Sequence, residues 1–398
     1  MAAKNEQIEE LLTRGVEDVI VREDLEKKLK SGKPLRIKLG IDPTGAKIHL
    51  GRAITLHKLR AFQQMGHKII LIIGDFTAQI GDASDKESER QPLTIEEIKT
   101  NMKTYLAQIG EIIDLKKAEI YNNTEWHEKG TKQELLEEAM NFTVNQMIKR
   151  DNFSQRFESD KPIGLHEILY PLLQGMDSVE VKADVEIGGN DQLFNLLAGR
   201  TLQKKYGQAP QNVMTFALLE GTDGRKMSTS WGNCIYIEDK PTDMYGKVMS
   251  IKDELIVRYL TLCTEMPMAE VKKIEKKLKS ENFNPKDAKS ALAFEIVKMY
   301  HGEKEAVKAS EHFEKIVVKK ELPDADEIPV VKIKKATIYL AELMVDAKLA
   351  PSKSEARRLI EQGGVRVDGA VIGDREAVIE GHTGMIVQVG KRKIIKIK

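Results

Sequence analysis

Six residues narrow what this chain can fold into more than any others. Lys68-Ile69-Ile70-Leu71-Ile72-Ile73 is apolar at every position after the lysine. A strand with one wet face alternates, so a run without alternation is buried on both faces. Sheets covered on both sides carry helices above and below, and their parallel strands are joined by helix-length crossovers. The flanking patterns agree. Leu35 to Ile41 reads as a short apolar strand and Gly51 to Met65 as a helix ending at Gly66, with two polar helical patterns before them. Further helical patterns lie at Thr94 to Ile109 and Gly164 to Val179, and strand-like segments at Ala118 to Tyr121, Val181 to Ile187 and Asn212 to Leu218. The expected class is α/β, with a doubly wound parallel sheet.

At 398 residues and roughly 150 per domain, two or three packed units are expected. The sheet domain, with its N-terminal helices, is assigned to residues 1–240. Over 241–320 strand signals vanish and charged helical patterns such as Met268 to Leu278 and Ala291 to Met299 define a helical domain. Acidic residues and two prolines mark a linker at 321–334, and 335–398 reads as a small α+β domain of two helices and short strands. The net charge is +1, yet Val331 to Lys398 holds fourteen Lys and Arg against eight Asp and Glu, a net +6 that leaves −5 for the rest. A nucleic-acid footprint therefore belongs to the tail alone.

Two cysteines, Cys234 and Cys263, are too few for a disulfide framework and lack metal-ligand spacing. No structural zinc is expected, and a reducing compartment, the cytoplasm, is the simplest home. Met1 to Leu12 is charged and reads as an amphipathic helix, and the run at 69–73 is far short of a membrane span. Asn122-Asn123-Thr124 and Asn141-Phe142-Thr143 match glycosylation sequons and carry no weight in such a chain.

Two segments have phosphate chemistry. Leu39 to Arg52 sits where the first strand turns into a helix, a place where exposed amides and the helix dipole attract anions. There Gly51 lets a nucleotide approach the backbone, and His49 and Thr44 can donate hydrogen bonds to phosphoryl oxygens. The second, Gly221-Thr222-Asp223-Gly224-Arg225-Lys226-Met227-Ser228-Thr229-Ser230, follows the last sheet strand and has turn chemistry, hydroxyls and a cationic pair. It is expected to be a mobile loop that closes over phosphates, with Lys226 neutralising departing pyrophosphate.

These segments resemble the two signatures of the class I aminoacyl-tRNA synthetases and, more closely, those of bacterial tyrosyl-tRNA synthetases. The resemblance covers nearly the whole chain. It rests on Asp42-Pro43-Thr44 before His49-Leu50-Gly51, on Ile80-Gly81-Asp82, on Tyr170-Pro171-Leu172-Leu173-Gln174-Gly175-Met176-Asp177, and on Gly188-Gly189-Asn190-Asp191-Gln192. It implies a Rossmann-like sheet. Two positions that serve ATP in the family depart from the usual pattern: Arg52 replaces the second histidine of the first signature, and Thr229 the second lysine of the other. Gly81-Asp82-Ala83-Ser84-Asp85 also departs from the family's Gly-Asp-Pro-Ser-Gly, while Lys86 and Arg90 keep the places of two cations that grip pyrophosphate.

Tyr170, Gln174 and Asp177 fall at i, i+4 and i+7 of one predicted helix, so their polar ends share a face. A carboxylate at the closed end of a ring-shaped slot accepts a phenolic hydrogen bond and is left desolvated and unpaired by phenylalanine. Strong rejection of phenylalanine is already a known property of tyrosyl enzymes; what the residues add is the assignment. By resemblance, Asp177 meets the phenol, Tyr170, Gln174 and Asp82 the α-ammonium, with Gln192 and Thr77 shaping the same pocket. Asp191 resembles the acid that holds the adenosine ribose, beside Gly189, which admits the nucleotide. Asp42 is placed beside the nucleotide. Many tyrosyl enzymes carry a second tyrosine on the first strand that also meets the phenol; here that residue is Lys38, so phenol recognition is expected to rest on Asp177 and a different partner.

The resemblance implies activation of L-tyrosine by ATP, with Mg2+ accompanying the nucleotide and no protein-built metal site, followed by transfer to tRNA(Tyr). It also implies a homodimer whose tRNA contacts both subunits. The segments Ser352 to Ile360 and Gly363 to Gly369 resemble a small RNA-binding module also found in a ribosomal protein, with Lys353, Arg357 and Arg358 grouped on one side of a helix. Competing readings are a tryptophanyl enzyme, a small nucleotidyltransferase, or a synthetase-derived RNA-binding protein with weak or absent activation, the last motivated by Arg52 and Thr229.

Overall fold

The computed structural model describes residues 2–82, 93–280, 283–319, 328–333, 337–390 and 393–398. They form two compact units, Met1–Glu303 and Lys304–Lys398. The first is built on a six-stranded sheet of β1 (Val16–Ile20), β2 (Arg36–Ile41), β3 (Lys68–Ile73), β4 (Glu119–Asn122), β5 (Val185–Gly189) and β6 (Asn212–Phe216), in the spatial order β1-β6-β5-β2-β3-β4. Strands β2 to β6 run parallel. As the unbroken apolar run requires, Ile69 to Ile73 are all buried. The doubly wound α/β expectation holds, with one addition: β1 pairs antiparallel with β6 at the sheet edge. Its Glu17-Asp18 pair hides the strand signal, which an edge strand exposed along one side tolerates.

Chain order leaves β2 for β3 and β4 on one side, then returns to β5 on the other. The crevice outside the carboxyl ends of β2 and β5 is thus a topological switch point, where open α/β sheets bind ligands. The helix Leu165–Glu180 covers the sheet there and packs on the helix Leu193–Lys205. Gly175 permits the close approach, since a Cβ on it would lie 3.1 Å from the Ala198 carbonyl carbon. At the start of the helix, Glu167 accepts from the Gly164 amide at 2.8 Å and pairs with Arg156, both charges being almost completely buried.

The helices Pro241–Met249, Ile256–Cys263, Met268–Leu278 and Pro285–His301 follow the sheet within the first unit. In the second unit, β7 (Val330–Val331), β9 (Val365–Val367), β10 (Ala370–Ile372), β12 (Ile386–Val389) and β13 (Lys393–Ile397) form a sheet ordered β10-β9-β12-β13-β7, while β8 (Thr337–Tyr339) pairs with β11 (Val378–Glu380). Its core includes Leu343, Met344, Ile360, Val365 and Val387. No helix among the described residues is long and apolar enough to cross a membrane.

Candidate active site

The switch-point crevice opens into a cavity of about 760 Å³ whose wall includes His49, Asp177 and Lys226 together. The first signature segment is joined through the backbone to the stretch that follows the second: the Leu50 amide donates to the Ile235 carbonyl at 2.9 Å and the Ile237 amide to the Ile48 carbonyl at 3.0 Å. His49 caps the helix Leu50–Gln64, its Nδ1 accepting from the Arg52 amide at 3.4 Å. Because Nδ1 is an acceptor, the ring proton sits on Nε2. Burial, helped by Arg52 and Lys226, pushes the His49 pKa down to about 3. The imidazole is therefore neutral at physiological pH, and it can meet an anion only as a hydrogen-bond donor. A Cβ on Gly51 would press the His49 ring at 3.2 Å, so the glycine protects this cap as well as the backbone approach.

Arg52 reaches the same cavity, donating to Thr44 Oγ1 at 3.1 Å and to the Tyr105 hydroxyl, with its guanidinium over the Tyr105 ring. In the same cavity, Lys226 Nζ lies 2.9 Å from Asp191 Oδ2. The loop carrying Lys226 is organised about buried Asn233, whose Oδ1 accepts from the Ser228 amide and whose Nδ2 donates to Asp223 and to the Lys226 carbonyl. Thr229 heads a single turn, Thr229–Trp231, and also lines the cavity. Gly189 stands against Asp191; a Cβ there would fall 2.5 Å from Asp191 Oδ1.

The three polar residues predicted to share a helix face all line the cavity. Tyr170 donates from its hydroxyl to Asp42 Oδ2 at 2.9 Å, and burial, reinforced by Asp42, raises its pKa well above the usual phenol value. It stays a neutral phenol whose oxygen can still accept. Asp42 Oδ1 accepts from Thr77 at 2.8 Å, so Asp42 bridges Tyr170 and Thr77. Gln192 Nε2 donates to Asp82 Oδ2 at 2.6 Å. Every predicted ATP- or tyrosine-binding residue borders this one cavity, as do His49, Arg52 and Lys226. Lys86 and Arg90, with Ala83 to Asp85, lie outside the described residues.

Residues missed from sequence surround Asp177. Its Oδ1 accepts from Trp126 Nε1 and from His127 Nε2, each at 2.9 Å, while Asn123 Nδ2 approaches Oδ2 at 3.4 Å. These donors follow β4, and Asn123, seen from sequence only as part of an unused sequon, is fully buried. Arg150 is another: it is buried, lies between the Phe153 and Phe194 rings at 4.9 and 5.1 Å, and approaches Asp82 at 3.9 Å. Burial lowers its pKa. Among the described residues, no group of three His, Cys, Asp or Glu side chains is placed to hold a metal ion.

In the second unit, the helix Lys353–Glu361 carries the three predicted RNA-facing cations. Each already has a carboxylate: Lys353 with Glu342 at 3.0 Å, Arg357 with Glu376 at 2.9 Å and Arg358 with Glu355 at 2.6 Å. Lys353 and Arg358 are exposed and Arg357 is half-buried; surface pairs of this kind are weak and screened by salt, so a phosphate backbone can compete for them.

Comparison with known proteins agrees with this geometry. Residues 30–318 match the family described as tRNA synthetases class I (W and Y), and residues 322–395 match the tyrosine–tRNA ligase SYY-like C-terminal domain. The chain is 48% identical over 388 residues to a tyrosine–tRNA ligase of Thermotoga maritima, covering 97% of this chain and 96% of that protein. It is 46% identical over 392 residues to the Moorella thermoacetica tyrosine–tRNA ligase, covering 97% and 94%. In fold it is similar to the tyrosyl-tRNA synthetase of Archaeoglobus fulgidus solved with L-tyrosine, with a TM-score of 0.61 at 24% identity over 77% of this chain and 98% of that one. With both matches and this geometry in hand, the chain belongs to the class I tRNA synthetases of the W and Y group.

Proposed function

We propose that the chain is a tyrosine–tRNA ligase, activating L-tyrosine with ATP to tyrosyl-adenylate and pyrophosphate, then passing the tyrosyl group to the 3′-terminal ribose of tRNA(Tyr). The observation that carries this is one cavity whose wall brings Tyr170, Gln174 and Asp177 together with His49, Arg52 and Lys226. The phenol of tyrosine donates to Asp177 Oδ2, because Trp126 and His127 already occupy Oδ1 and Asn123 only approaches Oδ2 at 3.4 Å. The α-ammonium faces three acceptors, Asp82, the Tyr170 oxygen and Gln174. A carboxylate nucleophile is ionised at neutral pH and needs no general base, so the protein contributes alignment and charge stabilisation.

In-line attack of that carboxylate on the α-phosphorus forms the new P–O bond as the bond to pyrophosphate breaks. His49 donates from Nε2 to a phosphoryl oxygen, Asp191 holds the ribose, and Lys226 exchanges Asp191 for the departing pyrophosphate. Arg52, anchored by Thr44, presents a full charge where the family's histidine is neutral, which offsets part of the charge missing at Thr229. ATP arrives as its magnesium complex. His49, Arg52 and Lys226 on the cavity wall are donors that suit the phosphate anion, with Asp191 paired to Lys226.

For the RNA step, the helix Lys353–Glu361 supplies the basic surface. Homodimer formation is supported by Leu136, Met140, Val144, Phe157 and Leu165, which are 59–81% exposed within a thirty-residue stretch. The two cysteines are buried free thiols, as suits the cytoplasm. ATP–pyrophosphate exchange with each amino acid tests the proposal. Exchange driven by tyrosine is expected; exchange driven by tryptophan instead, or tight tRNA binding without any exchange, overturns it.

A further inference from the structure

Lys38 and Glu186 are register partners on β2 and β5, the two strands flanking the switch point. Their side chains form an ion pair at 2.8 Å, and both are completely buried. Neither borders the cavity, so neither meets a substrate directly. Lys38 uses its three donors on Glu186, on the Gln174 carbonyl at 2.9 Å and on Ser178 Oγ at 2.8 Å. Glu186 Oε1 accepts also from Gln174 Nε2 at 3.1 Å, and Oε2 from Ser178 Oγ at 2.9 Å and from Gln211 Nε2. Every donor and acceptor position of the pair is therefore occupied.

Stability does not explain such a pair. Removing two charges from water is costly, and apolar residues of the same volume commonly stabilise as well or better. What the pair does impose is the orientation of Gln174. A carboxylate only accepts, so the end of the carboxamide that meets Glu186 is Nε2, and Oε1 is left as the polar atom available to the cavity that Gln174 lines. We infer that the Lys38–Glu186 pair is a positioning device that fixes the Gln174 amide as an acceptor for the amino acid's α-ammonium, with Lys38 also holding the helix turn at Gln174 and Ser178. This deepens the proposed function and rests on it. It gives Lys38 a task on the ammonium side of the ligand, away from the phenol. Without the pair the amide is free to turn, presenting N–H to a cation.

The test uses the full-length protein with Lys38→Met/Glu186→Gln, which removes both charges and strands neither, alongside Glu186→Gln and Ser178→Ala. Three ligands are compared in tyrosine-dependent exchange: tyrosine itself, tyramine, which keeps phenol and ammonium, and 3-(4-hydroxyphenyl)propionate, which lacks the ammonium. The tyrosine KM and the tyramine Ki are expected to rise roughly tenfold or more in the double variant, the loss of one charge-assisted hydrogen bond. The Ki of the deaminated acid and the KM for ATP should stay within about twofold. Ser178→Ala, which leaves the pair in place, should give a smaller rise with the same selectivity. A parallel loss for all three ligands, or an unchanged tyramine Ki in variants with native-like melting, overturns the inference. Should the double variant not fold, Glu186→Gln decides by the same comparison. If the unchanged chain shows no tyrosine-dependent exchange, the activity falls and this inference with it; exchange by the unchanged chain with uniform loss in the variants removes the inference alone.

Discussion

Asp177→Ala raises the tyrosine KM by about 10- to 100-fold, the effect of losing a hydrogen bond to a buried charge of about 1.5–3 kcal/mol. The same change narrows the gap between tyrosine and phenylalanine, because the desolvated carboxylate that phenylalanine leaves unpaired is gone. Both kinetic constants come from amino-acid-dependent exchange. The alanine also strands Trp126 Nε1 and His127 Nε2, buried donors that now lack an acceptor. A lowered melting temperature is therefore part of the expected result. Asp177→Asn keeps an oxygen for those donors while removing the charge, and should show the loss of selectivity with less loss of stability. Unchanged constants for both amino acids would remove Asp177 from the pocket's chemistry.

Lys226→Ala acts on the other end of the cavity. Single preorganised donors aimed at developing charge are worth about 10²–10³ in rate, and a loss of that order is expected in the rate of adenylate formation, measured as a single-turnover burst. Tyrosine affinity, measured by calorimetry without ATP, should change little, because Lys226 pairs with Asp191, the residue proposed to hold the ribose. This pattern is the signature of an interaction made in the transition state rather than the ground state. Equal losses in rate and tyrosine affinity would point to a damaged fold.

What the sequence displays is what lies contiguous along it. The unbroken run at Ile69–Ile73 announces a sheet covered on both faces, and the spacing of Tyr170, Gln174 and Asp177 announces one helix face, because both periodicities are local. The network around those residues is not local. Trp126 and His127 reach Asp177 across fifty residues from a short helix after β4, and no spacing rule links them. Lys38 in an apolar strand is equally compatible with an edge, a pocket or a buried pair. Only the register that sets it opposite Glu186 decides among them. His49 shows a further reason: a histidine at a helix start reads as a cap or as a phosphate donor, and with Nδ1 spent on the helix the proposed mechanism uses Nε2 as the donor.

The most direct measurement is a crystal structure of the protein with a tyrosyl-adenylate analogue whose phosphate is replaced by a sulfamoyl linkage. The phenol oxygen should lie within hydrogen-bond distance of Asp177, the ammonium against Asp82, Tyr170 and Gln174 Oε1, and the sulfamoyl group beside His49, with Lys226 drawn off Asp191 by the ribose. An aromatic ring lodged elsewhere, with Asp177 held only by Trp126, His127 and Asn123, would contradict the whole account.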